Sequence, residues 1–201
     1  MNIFNLFPTA IGQIELHRQL TDSERNFLVD YQNKDIRKND GNTYTGNNYI
    51  LDAPELNELK KELTKQLNIY LNDVYKPKND VEAYITISWI NYTQTGQFHH
   101  AHSHVNSIFS GVYYADTNDD DTITFISPPN HPLRLRLETS EWNTWNSEEW
   151  WFPTPKNTLL LFPSTLAHKV NPTTNPNIRV SLAFNTFLRG KLDNGLNEVV
   201  L

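Results

Sequence analysis

Cysteine is absent from this chain of 201 residues. The sequence therefore excludes a disulfide framework, a thiolate zinc site and a cysteine nucleophile, and any metal must bind through histidine, carboxylate or water. Long apolar runs are also absent, and the N-terminus, MNIFNLFPTAIGQIEL, has no basic stretch leading into an apolar run. These absences predict a soluble, cytoplasmic protein without a signal peptide or a membrane partner.

Positive charge is scarce. The chain has 17 Lys and Arg against 23 Asp and Glu, which gives a formal net charge of -6. A nucleic-acid backbone requires a basic face, so no nucleic-acid partner is expected. The length suits a single domain. We expect N-terminal strands and supporting helices in residues 1–80, the core in 81–190 and a tail in 191–201.

Two helices are predicted in the N-terminal part. Thr21 and Glu24 form a capping box for a helix over residues 21–34. The second begins at Asp52 and ends near Tyr75, and its apolar stripe comprises Leu56, Leu59, Leu63, Leu67, Tyr70, Leu71 and Val74. The polar segment 35–48 is predicted to be a surface loop.

Strands dominate the rest of the chain. One or two short edge strands are expected in the first fifteen residues, and β-branched and aromatic runs predict further strands at 83–92, 107–115, 122–126, 133–137, 158–162 and 178–187. Strands without intervening helices pair antiparallel. The fold class is therefore mainly β (α+β), with a jelly-roll core, the double-stranded β-helix, and N-terminal supporting helices.

A histidine-rich segment, GQFHHAHSHVNS, occupies residues 96–107. His102 and His104 are two positions apart, so on one strand they face the same side, and His100 shares that parity. His168 follows an apolar strand and a Pro-Ser turn, which places it at a strand end. Imidazole binds iron, zinc, copper or nickel, so these residues predict a metal site.

These features together resemble the iron(II)- and 2-oxoglutarate-dependent oxygenases, especially their prolyl-hydroxylase-like branch. The resemblance covers roughly residues 83–187. It is carried, in chain order, by Tyr92, Gly96, His102 with His104, the strand FSGVYYAD, His168, and Arg179 within RVSLAFN.

The resemblance implies roles for individual residues. His102, His104 and His168 would hold Fe(II). Arg179 and Ser181 would bind the far carboxylate of 2-oxoglutarate together with Tyr114, and Tyr92 would lie near this cosubstrate. The implied activity is a dioxygenase that hydroxylates its substrate and releases succinate and CO₂.

One position departs from the family pattern. His104 stands where the family has Asp or Glu. A neutral imidazole in place of a carboxylate leaves the iron site one unit more positive, which changes its iron affinity and redox behaviour.

The substrate is expected to be a small molecule or a peptide. Asn106 and Ser110 follow the metal pair and are candidates for the pocket wall, and Trp142 and Trp145 for a lid or platform over the barrel mouth. The tail is interpreted either as an edge strand or as a contact in a homodimer.

Two alternatives keep the fold. A cupin-type dioxygenase would use the three histidines without 2-oxoglutarate, but the expected cupin Glu after the second histidine is missing and Arg179 would lack a purpose. A non-catalytic binding module would hold a structural metal in a closed shell with a fourth protein ligand, for which His100 is the candidate.

Overall fold

A computed structural model describes residues 1–128 and 138–201. Within these residues the chain forms two α-helices and eleven strands. They are β1 (Gly12–Glu15), α1 (Asp22–Asp30), β2 (Ile36–Lys38), β3 (Thr43–Thr45), α2 (Asn57–Tyr75), β4 (Val81–Thr93), β5 (His99–His102), β6 (Phe109–Asp116), β7 (Thr122–Ile126), β8 (Glu149–Pro153), β9 (Thr158–Pro163), β10 (His168–Val170) and β11 (Arg179–Gly190).

The strands form two sheets. The larger has the order β1-β9-β6-β11-β4-β3-β2, and the smaller has the order β5-β10-β7-β8. All strand pairs within them are antiparallel. Phe125 of the smaller sheet packs edge-on against Phe162 of the larger, with ring centroids 5.0 Å apart. The sheets therefore face each other, and the predicted mainly-β jelly roll is confirmed.

Strand alternation divides the larger sheet into two apolar faces. Tyr113, Leu159 and Leu161 belong to the cluster that includes the helices, whereas Tyr114 and Leu160 belong to the cluster between the sheets. Because successive side chains of a strand point to opposite faces, the neighbouring tyrosines enter different environments. Only the inner face reaches the histidines.

Helix α2 packs on the outer face of the larger sheet. Its stripe residues Leu59, Leu63 and Leu67 are fully buried, as the 3.6-residue periodicity requires. Tyr70 adds an edge-on contact with Phe109, at 5.3 Å between ring centroids. Val74 is 39% exposed, so the buried stripe ends one turn earlier than predicted.

Helix α1 begins as predicted. Thr21 accepts a hydrogen bond from the Glu24 backbone, and the Glu24 carboxylate accepts one from the Thr21 backbone, so the capping box is complete. The helix ends at Asp30 and continues as a 3₁₀ turn over Tyr31–Asn33.

Other boundaries differ from the predictions. Residues 35–48 are not only a loop, because they contain β2 and β3, three residues each and too short for a clear pattern. Asp52 does not cap α2. It ends a 3₁₀ turn, and extended Ala53, which precedes Pro54, interrupts the helical path before α2 begins at Asn57.

Some strands differ from the predicted set. Strands β5, β8 and β10 were not delimited by the sequence, and β5 ends at His102, so His104 lies beyond it. The strand predicted at 133–137 lies outside the described residues. In the described part of the chain, no helix is long and apolar enough to cross a membrane.

Candidate active site

Three histidines meet at the junction of β5 and β10. His102 and His168 are directly paired residues of these antiparallel strands, and their ring centroids are 4.4 Å apart. His104 lies 5.0 Å from His102 and 5.3 Å from His168 by the same measure. One nitrogen from each ring can lie within 4.8 Å of the other two. The predicted set is therefore brought together, although its members lie far apart in sequence.

Backbone carbonyls orient two of these rings. The Nδ1 atoms of His102 and His168 lie 2.9 Å and 3.0 Å from the carbonyl oxygens of His100 and Leu166. A carbonyl only accepts, so each Nδ1 carries the proton and the Nε2 lone pair is free to bind a metal. The backbone N–H of His104 donates to the Ser164 carbonyl at 2.9 Å, which fixes the third position.

Burial keeps the cluster uncharged. Desolvation, followed by the proximity of His102, lowers the pKa of His104 to about 4 and that of His168 to about 3. Burial also lowers the pKa of His102. Lowering the pKa favours the neutral imidazole at pH 7, and neutral imidazole is the form that binds metals.

An arginine without a carboxylate partner lies beside the histidines. Arg179, at the start of β11, is only 2% exposed. Its Nη1 donates to the Thr122 carbonyl at 3.1 Å, and its Nε has no partner. Among residues 1–128 and 138–201 no carboxylate forms an ion pair with it. A buried cation with unused donors is costly, so this position favours an anionic ligand.

Tyr114 and Ser181 lie next to Arg179, and these three residues form the arginine wall of the site. Tyr114 and Ser181 are paired residues of β6 and β11, and the guanidinium carbon of Arg179 lies 5.1 Å from the centre of the Tyr114 ring. The Tyr114 hydroxyl is buried without a partner. Burial raises the pKa of Tyr114 to about 12, so the hydroxyl stays protonated and can donate a hydrogen bond to an anion.

These groups line one narrow cavity of about 40 Å³ between the sheets. Ser110 lines it too, as predicted, and its hydroxyl donates to Asn185 Oδ1 at 2.9 Å. Sequence reasoning missed other lining residues, among them Asn42, Trp89, Asn91, Thr93 and His99. Trp89, Asn91 and Thr93 alternate along β4, so their shared parity was a usable signal, whereas Asn42 lay in a segment predicted to be a surface loop.

Tyr92 does not lie near the cavity, contrary to expectation. It has the opposite parity to Asn91 and Thr93 on β4, so its ring enters the core beneath the helices, where it is 1% exposed. Its hydroxyl donates to the Leu28 carbonyl of α1 at 2.6 Å. Tyr92 therefore anchors α1 to the sheet.

Three other pocket candidates lie elsewhere. Asn106 is exposed in a left-handed conformation, with φ of 55°, in the β5–β6 connection. Trp142 and Trp145 are 65% and 51% exposed and do not line the cavity. Trp145 instead donates from Nε1 to Asn5 Oδ1, because residues 139–148 run beside the N-terminal segment.

His99 and His100 extend the cluster. The ring of His99 stacks on His102 at 4.3 Å, and His99, His100 and His102 form a second group whose nitrogens lie within 4.8 Å of one another. His100 is not a fourth member of the first group, which contains only His102, His104 and His168 among the described residues.

The chain matches a known family and known folds. Residues 87–185, about half of the chain, match the family model described as "Putative 2OG-Fe(II) oxygenase". No match was found among curated proteins. A Burkholderia pseudomallei oxidoreductase of the 2OG-Fe(II) oxygenase family has a similar structure, with a TM-score of 0.56 at 14% identity over 87% of this chain and 84% of its own.

Two further solved structures share the fold. A Pseudomonas putida prolyl-4-hydroxylase gives a TM-score of 0.54 at 12% identity, over 88% of this chain and 92% of its own. HygX from Streptomyces hygroscopicus was solved with nickel, 2-oxoglutarate and hygromycin B bound. It gives a TM-score of 0.56 at 13% identity, over 89% of this chain and 82% of its own. The similarity in fold agrees with the match to the family model: this chain belongs to the 2OG-Fe(II) oxygenases.

Proposed function

We propose that this protein is an Fe(II)- and 2-oxoglutarate-dependent dioxygenase that hydroxylates a small-molecule or peptide substrate and releases succinate and CO₂. The observation that carries the proposal is the buried Arg179, which forms no ion pair with any carboxylate of the described residues and lines the same cavity as three neutral histidines. When bound, iron and the 2-oxo acid supply the oxidising chemistry. The protein binds them, orients them and keeps water out.

The histidine cluster fits an iron(II) ion. His102, His104 and His168 offer three imidazole nitrogens, a donor type that suits iron, and three protein ligands leave positions open for other molecules. The protonated Nδ1 atoms of His102 and His168 already fix the ring faces, as metal-binding histidines require.

The arginine wall fits the far carboxylate of 2-oxoglutarate. The planar guanidinium of Arg179 can donate two parallel hydrogen bonds to one carboxylate, and Ser181 and Tyr114 each offer a hydroxyl. The unpartnered atoms, Arg179 Nε and Tyr114 Oη, are donors of the kind that an acceptor-only carboxylate would satisfy. HygX, which shares the fold, has been solved with nickel and 2-oxoglutarate bound, and this supports the same pair of ligand classes here.

An anaerobic titration tests the proposal. Apo protein receives Fe(II) and then 2-oxoglutarate, and a visible charge-transfer band of the chelated 2-oxo acid is expected. His168→Ala should lose the band with the metal, and Arg179→Ala should require far more 2-oxoglutarate to produce it. Arg189→Ala is the matched control, because Arg189 pairs with Glu82 on the surface, and it should behave like the wild type.

Other outcomes would favour the alternatives. Tight iron binding without any band would exclude 2-oxoglutarate and favour the cupin-type dioxygenase that uses three histidines alone. Metal that is retained in a closed shell, with no exchangeable position, would favour the binding module.

A further inference from the structure

The cavity has one polar wall that the proposed cofactors do not use. Asn42 lies in the turn between β2 and β3, is 3% exposed and lines the same cavity as the three histidines. Neither its Oδ1 nor its Nδ2 has a hydrogen-bond partner. Exchanging the two amide atoms would leave the same deficit, so one acceptor and one donor are unsatisfied in either orientation. A buried polar group without a partner destabilises the protein, because it has lost its hydrogen bonds to water and gained none in return.

The turn that carries Asn42 is tightly held. The Phe98 backbone N–H donates to the Gly41 carbonyl at 3.0 Å, and the Asn39 N–H donates to the Asn42 carbonyl at 2.9 Å. Gly41 has φ of +100°, and a Cβ there would lie 2.6 Å from the Phe98 carbonyl oxygen. Asn39 Nδ2 also lies 3.0 Å from Nε2 of His99. Asn42 is therefore fixed beside the histidines and cannot readily turn outward to water.

The chemistry of 2-oxoglutarate does not satisfy this wall. At neutral pH the molecule is a dianion with acceptors only, which suits Arg179 but not an amide oxygen. The Oδ1 atoms of Asn42 and Asn91 are both buried and without partners in this cavity. Asn42 Oδ1 would be satisfied by a ligand that carries a hydrogen-bond donor, and 2-oxoglutarate carries none at neutral pH. That ligand is a different molecule from the cosubstrate.

The lack of acidic side chains around the cavity, among the described residues, narrows the class of ligand further. No Asp or Glu lines the cavity among the described residues, so a cationic group would find no counter-ion there. A carboxylate could accept a hydrogen bond from Asn42 Nδ2, but it has no donor for Asn42 Oδ1. A neutral amide group presents an N–H and a C=O side by side, and it can pair with both atoms of one carboxamide.

We propose that Asn42 binds an amide group of the prime substrate, either a peptide bond or a free carboxamide, and thereby selects which molecules reach the metal. The inference rests on the proposed function and narrows its substrate class. Asn42 also lies outside residues 87–185, the part that matches the family model, so this contact belongs to the chain's own N-terminal region.

Direct binding to zinc-loaded protein tests the inference, because zinc occupies the histidines without turnover. Ligand-observed NMR would measure dissociation constants for three neutral probes with 2-oxoglutarate present: a blocked dipeptide, a primary carboxamide and the ester analogue of the dipeptide. The variants are Asn42→Leu, which keeps the volume and removes both polar atoms, and Asn48→Leu, a control at an exposed asparagine. The two amide probes distinguish a peptide from a free carboxamide.

The wild type and Asn48→Leu should bind at least one amide probe tenfold or more tightly than the ester. Asn42→Leu should bind that amide at least tenfold more weakly than the wild type does. Without ligand, its melting temperature should equal or exceed that of the wild type, since two unsatisfied polar atoms are removed. A lower melting temperature would overturn the inference, because the amide would then be structural.

Three further outcomes would also overturn the inference. The wild type and Asn42→Leu would bind the amide equally, the wild type would bind ester and amide equally, or the wild type would bind no probe. Affinity for 2-oxoglutarate is measured on the same samples. Its absence in the wild type would count against the proposed function, whereas intact 2-oxoglutarate binding with any of these outcomes would count against the role of Asn42 alone.

Discussion

Replacing Arg179 by methionine separates ligand binding from folding. Methionine keeps the length and apolar stem of the side chain and removes the guanidinium. In the wild type the buried guanidinium donates to one backbone carbonyl and packs over the Tyr114 ring. Without the 2-oxo acid, Arg179→Met should therefore change the free energy of unfolding little, whereas any stabilisation by 2-oxoglutarate should be lost.

The magnitudes follow from opposing contributions. The variant loses a hydrogen bond to a charged group, about 1.5–3 kcal/mol, and a cation–π contact of about 1–2 kcal/mol. It also relieves the cost of burying an ion without a counter-ion, which is several kcal/mol. We expect a net change within about 1 kcal/mol of zero. For the wild type, 2-oxoglutarate at 100 times its dissociation constant should add about 2.7 kcal/mol.

Thermal unfolding of zinc-loaded protein measures both effects. For a chain of this size, the ligand contribution corresponds to a rise of about 5–11 °C in melting temperature for the wild type. Arg189→Met is the control. Its exposed pair with Glu82 is worth about 1 kcal/mol at most, and it should keep the full rise with 2-oxoglutarate. A loss of more than about 3 kcal/mol in ligand-free Arg179→Met, or an undiminished rise with the acid, would refute the reasoning.

Two further predictions concern the N-terminal helices. Leu63→Ala should lower the free energy of unfolding by about 2–5 kcal/mol in a denaturant titration, since Leu63 is fully buried, while Lys65→Ala on the exposed face should stay within about 0.5 kcal/mol. Burial alone would raise the pKa of Glu24, but hydrogen bonds from Arg18 and Thr21 outweigh it and hold the pKa below its usual value. This stabilisation is present above the unfolded pKa and is lost as pH falls through the folded one, so Glu24→Gln, which should cost about 2 kcal/mol at pH 7, should cost progressively less in acid. A constant cost from pH 7 to pH 3 would contradict this assignment.

The parts of the fold that follow a strong local pattern were predictable. The capping box at Thr21 and the leucine stripe of α2 are local features, and the long strands β4, β6, β9 and β11 have apolar runs that tertiary packing then buries. The short strands were not predictable, because three-residue segments such as β2 and β10 carry too few residues to show a period. Their pairing depends on neighbours that are distant in sequence.

Site residues of uncommon type and spacing could be predicted from the sequence, whereas residues that reach the site only through the fold could not. Closely spaced histidines and an arginine between apolar residues stand out in any sequence, so the histidine cluster and Arg179 were singled out before their burial was known. Tyr92 was misplaced because a family pattern fixes a position along the chain but not the face of the strand. Asn42 was missed because an asparagine in a polar turn is ordinary, and only its lack of partners makes it unusual.

In the proposed iron site, the histidine at position 104 would connect metal binding with cosubstrate binding. Three neutral imidazoles leave an Fe(II) ion with its full charge of two in a buried site, next to the cation Arg179, which is unfavourable in a medium of low polarity. The dianion 2-oxoglutarate would cancel the charge of the metal and satisfy the guanidinium at the same time. Each ligand would therefore bind more tightly in the presence of the other, and by thermodynamic linkage the two enhancements are equal. A carboxylate at position 104 would neutralise half of the metal charge in advance and weaken that coupling, so a histidine at this position favours an iron site that is completed only when the 2-oxo acid is bound.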